Sequence, residues 1–144
     1  MNKIKSSNDI NSDIYYDSVN IRKRVFVDEQ NVPAEIEIDN DEDKCTYFVL
    51  YSNQQAAATA RFQVTSDNGI HVQRVAVLKP FRHHHLGSEL LKYIFDYARE
   101  HNFDYAVLGA QDHAQAFYTQ LGFEVIGEQY KEAGILHHDM KLSL

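Results

Sequence analysis

The sequence predicts an α+β fold, on three observations. Strand-like apolar stretches crowd between residues 46 and 78, separated by short polar turns. The apolar spacing then changes to a helical period over residues 88–100 and again over 114–121. Strand patterns return at the C-terminal end. The expected order is β-α-β-β-β-α-β-α-β-β, with no internal repeat, low-complexity stretch or linker. At 144 residues the chain fits a single domain, 1–144. A chain of this size buries about two-thirds of its unfolded surface, enough for a core.

Each element has its own signal. Lys3–Ser6 reads as a short first strand. Ser12 or Asp13 is placed to cap a helix, with Ile14, Ile21 and Val25 on one side and Tyr15, Val19 and Phe26 flanking them. That helix should fray before Pro33, because the residue ahead of a proline avoids helical backbone angles. Thr46–Tyr51 (TYFVLY) is a buried-strand pattern, Ser52-Asn53-Gln54 a turn, and Ala58–Val64 the returning strand. Ser66-Asp67-Asn68-Gly69 is the strongest hairpin signal in the chain, and Ile70–Leu78 follows as a third strand of the meander. Leu90, Leu91, Ile94, Phe95 and Ala98 then form one helical stripe within Ser88–Glu100. Tyr105–Leu108 is a short strand. Asp112 and Gln115 have capping-box spacing ahead of a helix carrying Ala114, Phe117, Tyr118 and Leu121, and Gly122 ends it. Phe123–Ile126 and His138–Leu142 complete the sheet.

Composition narrows the function classes. Hydrophobic residues make up 44% and aromatics 12%, which excludes a disordered chain. No apolar run exceeds Tyr47–Tyr51, so no membrane span is expected. The opening MNKIKSSNDI has no apolar signal region, and a single cysteine, Cys45, excludes an intrachain disulfide; both fit a cytoplasmic protein. The net charge of −7 is concentrated: residues 28–43 hold eight carboxylates and no Lys or Arg. Such a field repels nucleic acid. It is either a solvated acidic loop or a wall that attracts an amine-bearing substrate.

The chemistry-bearing stretch is VAVLKPFRHHHLGSELL. A strand runs into Pro80, a short loop and then an apolar-faced helix beginning near Gly87-Ser88. A loop feeding a helix start offers unpaired amides and the positive end of the helix dipole, an arrangement suited to pyrophosphate. Arg82 adds positive charge, and Gly87 permits close backbone approach. Three consecutive histidines, His83-His84-His85, cannot easily face one ion, and no partner has ligand spacing, so no metal is expected.

Arg82-x-x-x-x-Gly87 in this context resembles the acetyl-CoA loop of the GNAT N-acetyltransferase superfamily. The downstream AQAFYTQLGFEVIGE, Ala114–Glu128, resembles that family's A-x-x-F-Y-x-x-x-G-F segment. RVFVDEQNVP and GILHHDMKL are similar to the small bacterial ElaA-like branch. The resemblance spans nearly the whole chain. It implies an α/β/α-like GNAT fold: a central mixed, mostly antiparallel sheet of about seven strands, splayed at the cofactor strand and flanked by helices. It implies an acyltransferase that moves an acetyl group from acetyl-CoA to a primary amine of a small molecule or peptide, with cationic acceptors favoured by the acidic segment. Many relatives dimerise, which allows a homodimer.

By the same resemblance, Val75, Ala76 and Val77 would bind the pantetheine arm through their backbone, like an added strand. Arg82, His83, His84, His85, Leu86, Gly87 and Ser88 would meet the pyrophosphate. Gln111 stands where the family often has an asparagine touching the cofactor arm, and Phe117 would pack beside that arm. Tyr118 matches the tyrosine that protonates the departing thiolate. The base is open between His71, on the cofactor strand with residues 73 and 75 on its face, Glu29 after the first helix, and a water-mediated route. His85 occupies the loop's first glycine position, where it either obstructs the phosphate or donates to it. That departure keeps open a catalytically weak CoA-binding or regulatory module, and a chance loop match would leave an amine-binding domain without CoA.

Overall fold

The computed structural model describes residues 1–144. Its elements are β1 (Asn2–Ser7), α1 (Asp13–Arg22), a single-turn α2 (Ala34–Glu37), β2 (Thr46–Ser52), β3 (Gln55–Val64), β4 (Gly69–Val77), α3 (Leu86–Glu100), β5 (Tyr105–Gln111), α4 (Gln115–Gln120), β6 (Glu124–Glu132) and β7 (Ile135–Ser143). Seven strands form one mixed sheet in the order β1-β2-β3-β4-β5-β7-β6. All neighbouring pairs are antiparallel except β4 and β5.

Helices cover both faces. The stripe on α3 packs Leu90, Leu91, Ile94, Phe95 and Ala98 onto Phe48, Ala60, Phe62, Ile70 and Val72, forming the larger core. On the opposite face Ile21 and Val25 meet Val49, Ala76 and Leu78. Ser12 caps α1, its hydroxyl accepting from the Tyr15 amide at 3.2 Å.

Several elements depart from the sequence reading. The first helix continues past Arg22 as a π-helical stretch, Lys23–Glu29, and stops before Pro33. β6 and β7 run longer than expected and form a hairpin. β6 is exposed along nearly its whole length at the sheet edge, so its GEQYKE segment has no apolar alternation to mark it. Asp112 and Gln115 do not form a capping box: their side chains bond each other at 3.0 Å, and Asp112 also accepts from Gln129. α4 begins without a side-chain cap.

The decisive local feature lies in β4. Gln73 pairs with Arg61 and Ala76 with Thr59, so β4 carries one residue more than β3 over this span. This β-bulge holds Arg74 at a φ of 58°. The extra residue reverses the alternation of faces. Ahead of it Ile70 and Val72 face the α3 core; beyond it Val75 and Val77 do so, while Ala76 turns to the α1 face. Val75 therefore does not share the face of His71 and Gln73, contrary to the simple two-residue period.

The acidic segment is also not what its composition suggests. Glu37 and Glu42 are buried, and they pair with the buried Arg22 at 2.7 and 2.8 Å. Arg61, 1% exposed, pairs with Asp39 and Glu42, both at 2.8 Å. Arg74 reaches Glu37 and Asp39 at 3.1 and 3.3 Å. Three carboxylates of the segment thus tie residues 37–42 to α1, β3 and the bulge, and Glu29 and Asp41 pair elsewhere. Neither a solvated loop nor a continuous acidic wall describes it.

Candidate active site

β4 and β5 pair only at Gly69–Tyr105, Ile70–Ala106 and His71–Val107. Beyond these pairs β4 continues to Val77 and β5 to Gln111 without ladder pairing, so the sheet opens into a wedge. One edge of β4 there has no strand partner, which leaves backbone groups to be met by something else.

At the far end of the wedge, Pro80 lies in a 3₁₀ turn and the chain enters the loop before α3. The first bond of α3 runs from Glu89 N–H to the His85 carbonyl, 3.0 Å, leaving the amides of residues 86–88 without an intrahelical acceptor. The amides of residues 83–85 donate to no protein acceptor either. His83 and His85 adopt φ of 68° and 61°. His85 thus takes the left-handed conformation natural to glycine, at a cost of about 1–2 kcal/mol, and its imidazole lies exposed. Arg82 donates from Nε to the Val77 carbonyl and from Nη2 to Glu29, both at 2.9 Å.

Phe117 and Gly87 meet at this opening. A methyl group built on Gly87 would lie 3.6 Å from Val77 and 3.8 Å from Phe117. The Phe117 ring is 37% exposed, an apolar surface beside the unpaired stretch of β4. Tyr118 stacks edge-on with Phe117 and Phe123 and packs against the α3 core. Burial pushes its phenol up to about 12, so it stays protonated throughout the neutral range. Gln111 closes β5 and bonds His113.

On the α1 face of the sheet a cleft of about 660 Å³ is lined by His71, Gln73, Arg74, Gly109, Tyr130 and Asp139, among others. Tyr130 donates to Asp139 at 2.8 Å. Gly109 lies close beneath it: a Cβ there would sit 2.5 Å from the Tyr130 hydroxyl and would have to displace the tip of that ring. Loss of solvent around its ring lowers the His71 pKa, against the attraction of Asp139. Of the three catalytic candidates, His71 lines this cleft and Tyr118 packs on the α3 side. Glu29 is bound to Arg82 in a separate hollow with Arg24, Leu78 and Lys79. Tyr130 and Asp139 were not singled out by the sequence; the one available signal was a glycine inside a strand, which marks close approach of another group.

A mixed sheet wedged open beside an amide-lined loop is the architecture that the sequence resemblance implied for an acyltransferase of the acetyltransferase class. The acetyltransferase (GNAT) domain model matches residues 10–144, and the chain belongs to that family. It is 34% identical to the uncharacterised N-acetyltransferase YjcF of Bacillus subtilis over 86% of this chain and 89% of that one. It is 33% identical to the ElaA protein of Escherichia coli over 87% and 84% of the two chains. The ElaA crystal structure superposes with a TM-score of 0.86 over 99% of both chains at 27% identity. A Lactobacillus plantarum protein assigned as an N-acetyltransferase superposes at 0.92, over 99% and 98% of the chains, with 28% identity. These relationships fit the ElaA-like branch.

Proposed function

We propose that this chain, acting as one domain over residues 1–144, transfers the acetyl group of acetyl-CoA to a primary amine of a small molecule or peptide. The observation that carries the reading is the unpaired edge of β4 leading directly into six amides with no protein acceptor. An extended amide-bearing arm ending in a pyrophosphate matches both parts. Val75, Ala76 and Val77 would present backbone to the arm. Arg82, His83, His84, His85, Leu86, Gly87 and Ser88 would surround the pyrophosphate, and Phe117 and Gln111 would flank the arm.

The amine nitrogen attacks the thioester carbonyl, the C–N bond forms, the C–S bond breaks, and the amine passes its proton to water in the open cleft. Tyr118 is the donor for the departing sulfur. Burial raises its pKa, and burial raises the proton affinity of a thiolate formed in the same apolar surroundings, so donor and leaving group remain matched. Asp139 and Glu132 in the wall of the cleft favour an acceptor that is cationic when free. No helix is long and apolar enough to cross a membrane, which is compatible with a cytoplasmic site of action.

The test combines calorimetry with CoA and detection of free thiol over a panel of amines. Tyr118→Phe keeps the packed ring and removes the hydroxyl. It should lower kcat roughly 10²–10⁴-fold while leaving CoA affinity nearly unchanged. Full activity in that variant would remove the donor role. Saturable CoA binding without thiol release from any amine would favour a binding or regulatory module.

A further inference from the structure

The cleft contains a chain of hydrogen bonds whose directions are all determined. It starts at Arg61, which is 1% exposed and whose guanidinium can only donate. Its Nη1 and Nη2 are engaged by Glu42 and Asp39, and its Nε donates to Gln73 Oε1 at 3.0 Å. That bond fixes the Gln73 amide, because the flipped orientation would set N–H against N–H. Gln73 Nε2 therefore points its hydrogens outward, and it lies 3.1 Å from His71 Nδ1. Since the amide nitrogen donates, His71 Nδ1 accepts. A neutral imidazole that accepts at Nδ1 carries its proton on Nε2.

We infer that Arg61 and Gln73 hold His71 as its Nε2–H tautomer, so that His71 serves the reaction as a hydrogen-bond donor to an oxygen of the acceptor amine and not as the base that deprotonates it. The tautomer stands on geometry alone; the donor role rests on the acetyl-transfer reading above. His71 Nε2 has no partner within the protein, and the ring lines the cleft. Protonating Nδ1 would bring two N–H groups into opposition, so the relay also resists formation of the imidazolium. Asp139 on β7 and Glu132 on β6 pull the other way, and Arg61 on β3 reinforces the neutral form. Gln73 and Arg61 are positioning residues: they reach the reaction only through the ring they orient. The acceptor class is narrowed accordingly, to amines with a hydroxyl, carbonyl or carboxylate oxygen near the reacting nitrogen.

Proton–nitrogen correlation spectra of isotope-labelled protein test the tautomer without any substrate. The chain has eight histidines, and His71 is assigned by the signals lost in His71→Gln. The wild-type protein should show the proton on Nε2. Gln73→Glu, whose carboxylate accepts from Nδ1, should reverse the tautomer, and Gln73→Leu should give a mixture. A wild-type Nδ1–H tautomer, or a Gln73→Leu protein with an unchanged tautomer, overturns the relay. The donor role is read by thiol release with ethanolamine against propylamine. The oxygen-bearing amine should be favoured about tenfold in kcat/KM, the size expected for one hydrogen bond, and the preference should vanish in His71→Phe. Equal rates with the wild-type enzyme overturn the donor role. If neither amine reacts, the acetyl-transfer reading loses support and the donor role falls with it, while the spectra still decide the tautomer.

Discussion

Two arginine-bearing regions flank β4 and are built in opposite ways. Around Arg22 and Arg61 the guanidinium groups are buried and saturated with carboxylates and carbonyls. Around Arg82 the side chain is one-third exposed, held by one carboxylate and one carbonyl, and next to amides with no acceptor. A saturated network gains nothing from a ligand. An unsaturated one is completed by an anion. The difference separates the part of the acidic segment that builds the fold from the loop to which the pyrophosphate of acetyl-CoA is proposed to bind.

The largest effect should come from breaking the saturated side. Glu42→Gln leaves Arg22 and Arg61 buried with one charge too few opposite them, and should cost about 3–5 kcal/mol in denaturant unfolding. Burial pushes the Glu42 carboxyl up, but bonds from Arg22 and the Asp39 amide, with the charges of Arg22 and Arg61, hold it well below the ordinary carboxylate range. A lowered folded pKa contributes stability above the unfolded value of about 4.3 and loses it as pH falls below that. The wild-type protein should therefore lose stability on acidification more steeply than Glu42→Gln, with CoA binding at neutral pH little changed in either.

The unsaturated side should respond in binding. Gly87→Leu would fill the space between the α3 start, Val77 and Phe117, and should weaken CoA at least tenfold by calorimetry with little loss of stability. Gly87→Ala, whose methyl meets only ordinary contacts, should sit close to wild type. His85→Gly relieves a left-handed backbone and should stabilise the fold by about 1 kcal/mol, seen as a raised denaturation midpoint. The smallest change is expected from Glu29→Gln. Releasing Arg82 from its carboxylate should tighten CoA two- to fivefold, roughly the worth of a partly exposed ion pair. Weaker binding would mean that Glu29 orients Arg82 for the phosphate.

Much of this arrangement was legible in residue order. The α3 stripe and the loop from Arg82 to Ser88 depend on contacts within a few positions of each other, and the meander on strands joined by short turns, so periodicity and turn residues report them directly. The arginine network was not, because its partners come from α1, β3, β4 and residues 37–42, and pairing across the chain leaves no local period. One trace existed: Arg61 stands inside AAATARF, a charge within an otherwise buried strand, and a buried charge requires a partner. The β4 bulge was equally silent. The sequence offers no glycine at Arg74, where the backbone takes a positive φ, and the alternation of Ile70, Val72, Val75 and Val77 is easily read through the break.

That bulge makes β4 a strand with two reading frames. The first half sends its apolar residues to α3 and its polar ones to the cleft; the second half does the reverse for its odd and even positions. Deleting Arg74 would set Val75 opposite Ala60 and leave Ala76 opposite Thr59, so the ladder would become regular with every side chain on its present face. What the deletion would remove is the guanidinium that reaches Glu37 and Asp39, together with the bend and added twist that a bulge gives a strand. Arg74 is thus a surplus rung: β4 can lose it and keep its frame, whereas losing Val75 instead would set Arg74 opposite Ala60 and press its side chain into the α3 core.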